Sequence, residues 1–371
     1  HFVHPATCPA SPRMNDPLPL TLLTGFLGAG KTTLLNRLLA DADMSETLVI
    51  INEFGEVALD HLFVETLPGD MMMLSSGCLC CTIRGDLATT LESLIERRNS
   101  GELPPVRRII LETTGLADPA PILHTIMAHP TLMLNFRLDS VVTLVDATSG
   151  PTALDTHPEA RKQAAVADRL VLTKTDLVGS TDELRSRLGA LNPTATLLEA
   201  TQATPKTLLN AGLYNPDSKA PDVRRWLNAE ALSHPHHHHH DVNRHNAEIR
   251  AFCLTTDQPI APASFEIFIE LLRAIHGPNL LRLKGIVGLS NQPYAPLVVH
   301  GVQHIFHPPV RLKAWPDADH RSRLVFIVKN IPQAAIKGLW AALLGQPMID
   351  QADLDIARHN PLKPGNGGLL S

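Results

Sequence analysis

Gly25-Phe26-Leu27-Gly28-Ala29-Gly30-Lys31-Thr32-Thr33 follows the apolar run Leu18 to Leu23 and precedes Leu34, Leu35, Leu38 and Leu39 at helical spacing. The stretch fits G-x-x-x-x-G-K-[ST] in the strand, loop and helix setting that the pattern needs. Gly25, Gly28 and Gly30 keep side chains off the loop, so the backbone N–H groups from Ala29 to Thr33 can turn inward on a phosphate. The new helix adds the positive end of its dipole. Lys31 supplies a point charge for the outer phosphates, and the Thr32 hydroxyl is a ligand for Mg2+. A parallel α/β sheet with helices on both faces and a nucleotide at its carboxyl edge is the expectation.

Composition narrows the setting. The chain has 371 residues, enough for two domains, and a net charge of -5 gives no support for nucleic-acid binding or a basic membrane patch. No apolar run approaches the roughly 18 residues of a spanning helix. A cytoplasmic protein is expected. Three of the 5 cysteines are Cys78, Cys80 and Cys81, a clustering that reads as metal binding or thiol chemistry and not as a secreted disulfide framework.

Beyond the phosphate loop, the strand Leu48 to Ile51 runs into Asn52-Glu53-Phe54-Gly55-Glu56 and Asp60. Acids at the carboxyl edge of a parallel sheet can face Mg2+, the attacking water or a second metal; a solvated acidic loop is the plain alternative. A strand at Met71 to Leu74 is expected to deliver Ser76-Gly77-Cys78-Leu79-Cys80-Cys81 to the same edge. Three thiols so spaced can converge on one borderline cation, with Glu56, Glu53 or His129 available as a fourth ligand. A redox pair of Cys78 and Cys81, or inert buried cysteines, are the competing readings. The strand through Ile109-Ile110-Leu111 ends in Glu112, with Gly115 three residues on. That is the place of the acid that orients the Mg2+ shell and of a glycine amide that senses a γ-phosphate. His124 and His129 fall on the helix that follows.

Two further strands end in Asp146 and in Thr173-Lys174-Thr175-Asp176. T-K-T-D resembles the N-K-x-D base-reading motif, in which a carboxylate such as Asp176 accepts both the N1 proton and the exocyclic amine of guanine. Thr173 stands where Asn is usual. Asn192-Pro193 and a strand from Thr196 to Ala200 are expected to close the base pocket. The segment 216–247 holds His234, His236 to His240 and His245, a low-complexity run suited to weak, reversible capture of Zn2+, Ni2+ or Co2+, or simply a His-rich linker. Strands and helices from Ile249 to Leu344 read as a smaller α+β domain with its helices on one face.

With I-N-E-F-G-E, G-C-L-C-C, E-T-T-G-L-A-D-P, T-K-T-D and the later L-L-R-L-K-G-I-V (Leu280 to Val287), the chain resembles the CobW-type GTPases over nearly all of residues 18 to 345. The resemblance implies a GTP-dependent metallochaperone for zinc, or for cobalt or nickel, that serves an unidentified client metalloprotein. A metal-buffering protein with regulatory GTP binding and an accessory to cobalt insertion in cobalamin biosynthesis are its alternatives. It implies that Cys78, Cys80 and Cys81 carry the metal, that Lys31, Thr32 and Glu112 serve phosphate and Mg2+, and that Thr173, Lys174 and Asp176 read guanine. Composition along the chain adds a disordered leader (1–14), a His-rich linker (216–247) and a flexible tail (346–371) to the P-loop GTPase domain (15–215) and the C-terminal α+β domain (248–345). Homodimerisation is left open. Because no glutamine stands where water would be positioned, slow intrinsic turnover that depends on metal or partner is expected.

Overall fold

The computed structural model describes residues 17–52, 63–67, 71–74, 79–82, 86–209 and 248–346. The leader, Glu53, Glu56, Asp60, Cys78, the His-rich segment and the tail lie outside these. In the first sheet the strands are β1 (Leu18–Gly25), β2 (Thr47–Asn52), β3 (Phe63–Leu67), β4 (Met71–Leu74), β5 (Leu79–Thr82), β6 (Arg108–Thr113), β7 (Phe136–Asp146), β8 (Arg169–Thr173) and β9 (Thr196–Glu199). Their spatial order is β3-β4-β5-β2-β6-β1-β7-β8-β9. From β5 to β9 in that order all neighbours are parallel. The β3 and β4 strands add an antiparallel edge.

Adjacent strand residues serve opposite faces, which explains why these strands read as unbroken apolar runs. Leu20, Leu22, Leu48 and Ile50 pack with Leu91, Leu94 and Ile95 of α2 (Leu87–Asn99) and with Leu123 and Ile126 of α3 (Pro119–Ala128). Leu23, Val49 and Ile51 face Leu34, Leu35, Leu38 and Leu39 of α1 (Lys31–Leu39) on the other side. Each such fully buried Leu or Ile stabilises the sheet by about 1.5–3 kcal/mol. The remaining helices of this unit are α4 (Pro130–Asn135), α5 (Gly150–Thr156), α6 (Pro158–Val166), α7 (Asp182–Leu191) and α8 (Pro205–Leu208).

The second unit is an antiparallel sheet of β10 (Ile249–Thr256), β11 (Leu280–Leu289), β12 (Gln292–Val302), β13 (Ile305–Phe306), β14 (Val310–Arg311) and β15 (Ser322–Lys329). Helices α9 (Pro262–His276) and α10 (Gln333–Leu343) cover one face, where Phe265, Phe268, Leu272, Ile336 and Trp340 pack on Leu283, Leu324 and Phe326. The opposite face meets the first unit: Ile249, Leu281, Val302 and Ile327 join the core of Leu123, Ala165 and Val166. A register shift between Leu280 and Arg282 resets the alternation, so that Leu280 shares the helix-side core with Leu283 while Arg282 and Lys284 reach Asp168 of the first unit. The stretch from Pro296 to Phe306, whose sequence reads as one continuous strand, is broken by a turn at Gln303, φ 52, which leaves His304 outside β12 and β13. Apolar residues on both sides conceal that reversal in the sequence.

Candidate functional site

The end of β1 turns into α1 through a loop whose glycines Gly25, Gly28 and Gly30 all have positive φ. Gly30, φ 85, is the N-cap residue of α1 and brings no side chain to its first amides. A residue with a side chain would be strained at that φ, and a Ser or Asp would occupy the very N–H groups that an anion needs. Ala29 N donates to Phe26 O at 3.1 Å, which closes the loop on itself. Lys31, 7% exposed, lies back over the loop and donates from Nζ to Gly25 O at 3.0 Å. Thr33 is exposed at the start of the helix.

Glu112 stands in β6 level with Leu23 of β1 and Ile51 of β2, and it is 1% exposed. The Thr32 hydroxyl donates to its Oε1 at 3.1 Å. A hydroxyl and a carboxylate converging beside an uncapped helix N-terminus are hard oxygen donors, which fit Mg2+ next to a polyphosphate. Gly115 is pressed against the phosphate loop: a Cβ there would stand 2.8 Å from the backbone N of Leu27. Gln163 of α6 donates to Gly115 O at 3.1 Å and Ala117 O at 3.0 Å, and Lys162 Nζ holds Asp118 Oδ2 at 2.6 Å.

On the other flank, Thr173 Oγ1 donates to Ala29 O at 2.9 Å, tying the end of β8 to the phosphate loop. Lys174 follows with φ 55, its Nζ on Asp146 Oδ2 at 2.6 Å. Asp146 also accepts from Thr148 N at 2.8 Å and Thr148 Oγ1 at 2.7 Å. Burial works to raise the Asp146 carboxyl, but the Lys174 and Thr148 hydrogen bonds outweigh it and bring it down to about 2. Asp176 is exposed in a 3-10 turn, Thr175–Leu177. Asn192 does not line a base pocket. Its Nδ2 donates to the carbonyls of Ala164, Ala165 and Ala167, while Oδ1 accepts from Thr194, so the side chain is consumed in closing the end of α6.

The cysteine segment departs from the expected edge loop. Strand β4 runs antiparallel to β5, so its carboxyl end points away from the phosphate loop, and Cys80 and Cys81 are strand residues of β5. Their backbone aligns with Val49 and Ile50 of β2, whose neighbours in β6 are Ile110 and Leu111. Thr82 reaches the level of Ile51 and hence of Glu112. Two strand spacings, about 10 Å, separate β5 from β6. His129 caps the junction of α3 and α4, with Nδ1 3.8 Å from Glu92 Oε1 of α2. Among the described residues, no three metal-binding side chains gather.

Sequence reasoning passed over Asp146 and Gln163 as functional residues. Asp146 had a signal, since it ends a buried parallel strand as Glu112 does. Gln163 had none, because its partners are carbonyls of a loop distant in sequence.

Residues 19–199 match the model of the CobW/HypB/UreG nucleotide-binding domain, and residues 249–344 match the cobalamin synthesis protein cobW C-terminal domain. The zinc chaperone YjiA of Escherichia coli is 31% identical over 329 residues, covering 88% of this chain and 99% of that protein. The chain belongs to the CobW/HypB/UreG family. Another family member, the zinc chaperone CobW of Pseudomonas aeruginosa, is 30% identical over 86% of this chain and 89% of its own length. The solved Zn(II)-bound YjiA GTPase from E. coli superposes with a TM-score of 0.70 over 88% of this chain and 99% of that one, at 31% identity. The family's two-part build is therefore present here, with the phosphate loop, Glu112 and T-K-T-D at one edge of the sheet. No described helix is long and apolar enough to cross a membrane.

Proposed function

We propose that the protein is a GTP-hydrolysing metallochaperone that carries zinc, with cobalt or nickel as alternative cargo, and passes it to a client metalloprotein. The observation that carries this reading is the backbone path from the cysteine strand to the Mg2+ acid: Cys81 lies beside Ile50, and the next residue of β2, Ile51, lies beside Glu112. Zinc chaperones and a zinc-bound GTPase among its relatives support it.

In this reading, Lys31 and the amides at the start of α1 hold the β- and γ-phosphates, and Thr32 and Glu112 hold Mg2+. When bound, that ion neutralises charge on the transferring phosphoryl group. The Gly115 amide senses the γ-phosphate, Glu53 serves the water side, and Thr173, Lys174 and Asp176 select guanine. Adenine lacks the N1 proton and 2-amino group that a carboxylate at Asp176 accepts. Cys78, Cys80 and Cys81 with Glu56 take the cargo, and the His-rich segment 216–247 between the domains 15–215 and 248–345 collects it. Nucleotide state, felt at Glu112 and passed through β2 to the cysteine strand, changes the thiolate geometry, so metal held with GTP is released after turnover. Residence in the cytoplasm, a client protein and assembly as a homodimer are parts of the same proposal.

The test is nucleotide turnover by the purified chain with ATP as competitor and Zn2+ added in steps. GTP should be hydrolysed slowly, ATP should not compete, and zinc should change the rate in the wild type but not in Cys80→Ala. Equal competition by ATP, or an intact zinc response in Cys80→Ala, refutes the reading.

A further inference from the structure

Helix α6 carries polar side chains that hydrolysis, as described, leaves unused. Gln163 is 1% exposed, and both acceptors at its Nε2 are main-chain carbonyls, those of Gly115 and Ala117. Carbonyls only accept, so chemistry fixes which way this amide points. One residue earlier, Lys162 holds Asp118, whose Oδ1 accepts from Ala120 N to cap α3. The connection from β6 to α3 is thus clamped from α6, and through the Gly115–Leu27 contact the clamp fixes that connection against the phosphate loop.

The carboxyl end of α6 is held by the second unit. Arg282 Nη1 donates to Val166 O at 3.2 Å, and its Nη2 pairs with Asp168 Oδ1. Lys284 Nζ reaches the same oxygen at 2.8 Å, while Asp168 Oδ2 accepts from Val141 N at 3.0 Å. These three side chains are at most 5% exposed. Burial works to raise the Asp168 carboxyl, but Arg282 and Lys284 hold it well below the usual carboxylate range. A buried carboxylate bonded on both oxygens and facing two cations makes this a rigid joint, not a sliding surface. The L-L-R-L-K-G-I-V segment, which the catalytic account does not use, is what supplies it.

We propose that Gln163 is a positioning residue for GTP hydrolysis and that strand β11 sets its helix, so that the C-terminal domain and the loop after Glu112 move as one body. The proposal rests on the reading of Lys31, Thr32 and Glu112 as a GTPase centre. It gives the C-terminal domain a role in reading the nucleotide state, without contact to the nucleotide itself.

The experiment compares Gln163→Leu, Gln163→Glu and Arg282→Lys in the full chain, measuring kcat and KM for GTP, GDP affinity and thermal melting. Gln163→Leu removes both donors, and Gln163→Glu sets a carboxylate against two carbonyls. Both should lower kcat by roughly tenfold to a hundredfold while GDP affinity stays within about twofold, with Glu the more severe. Arg282→Lys keeps the charge facing Asp168 but loses the bond to Val166 O; about a threefold drop in kcat is expected, and no further drop when it is combined with Gln163→Leu. A folded Gln163→Leu with wild-type kcat overturns the clamp, as do Arg282→Lys and Gln163→Leu effects that simply multiply. If Gln163→Leu does not fold, wild-type kcat in Arg282→Lys overturns it alone. A wild-type chain that hydrolyses no GTP is a different result and overturns the reading on which the clamp rests.

Discussion

Replacing Gly115 by alanine tests the contact between the two nucleotide loops. The added methyl would stand 2.7 Å from Leu27 Cδ2 and 2.8 Å from both Leu27 Cα and Leu27 N. The side-chain tip can swing aside, since Leu27 is 52% exposed, but the main chain of the phosphate loop has no such freedom. Restoring an ordinary contact of about 3.5 Å requires the two loops to part by about 0.7 Å. A misplacement of about 1 Å in a catalytic array costs about a hundredfold in rate, so kcat for GTP should fall by about ten- to a hundredfold, equivalent to about 1.4–2.7 kcal/mol. Overpacking of this kind also costs about 1–3 kcal/mol of stability. Single-turnover hydrolysis at saturating GTP, with a melting curve on the same sample, measures both. A Gly115→Ala protein that melts within about one degree of wild type and hydrolyses GTP at the wild-type rate would show that the loops are not in register as described.

Other perturbations follow from the same geometry. Glu112→Gln should raise the Mg2+ concentration needed for half-maximal hydrolysis by about tenfold, and an unchanged Mg2+ titration would remove Glu112 from the metal shell. Asp146→Asn deprives Lys174 of its charged partner and should raise KM for GTP by about tenfold with little change in kcat; equal KM values in the two proteins would disconnect Asp146 from the base pocket. Burial pushes the His307 imidazole down from 6.5 to about 4. Between those values the unfolded chain binds a proton that the folded chain refuses, so stability falls as pH drops through that window, by about 3 kcal/mol. His307→Phe should flatten that part of the stability profile by denaturant melts at several pH values, and an unaltered slope would mean that His307 does not remain neutral in the fold.

The first sheet was legible because its strands are buried on both faces, which leaves runs such as Leu48 to Ile51 uninterrupted by polar residues. The phosphate loop was legible for a different reason: a backbone with several positive φ values tolerates few sequences. What the sequence concealed lies where apolar pattern and direction part company. Met71 to Leu74 reads as a strand and Ser76 to Cys81 as the loop it delivers, but nothing in their side chains says that the first runs against the sheet or that Leu79 to Thr82 is itself a strand running with it. The turn at Gln303 lacks the Gly or Asn that such a φ usually selects, and the irregularity at Leu281 moves Arg282 and Lys284 onto the domain seam without changing composition. Asn192 had the look of a pocket residue, yet three carbonyls at the end of α6 claim its amide. Hydrogen bonds to main-chain carbonyls carry no sequence signature on the acceptor side, and Gln163 was hidden for the same reason.

The most direct test of the account is zinc affinity measured by chelator competition on one protein in two states, loaded with a non-hydrolysable GTP analogue and Mg2+ or with GDP and Mg2+. Coupling between the thiol strand and the phosphate site predicts tighter zinc binding in the GTP-like state by about tenfold or more, and loss of that difference in Cys80→Ala. Equal zinc affinities in the two states, with wild-type nucleotide binding intact, would contradict it.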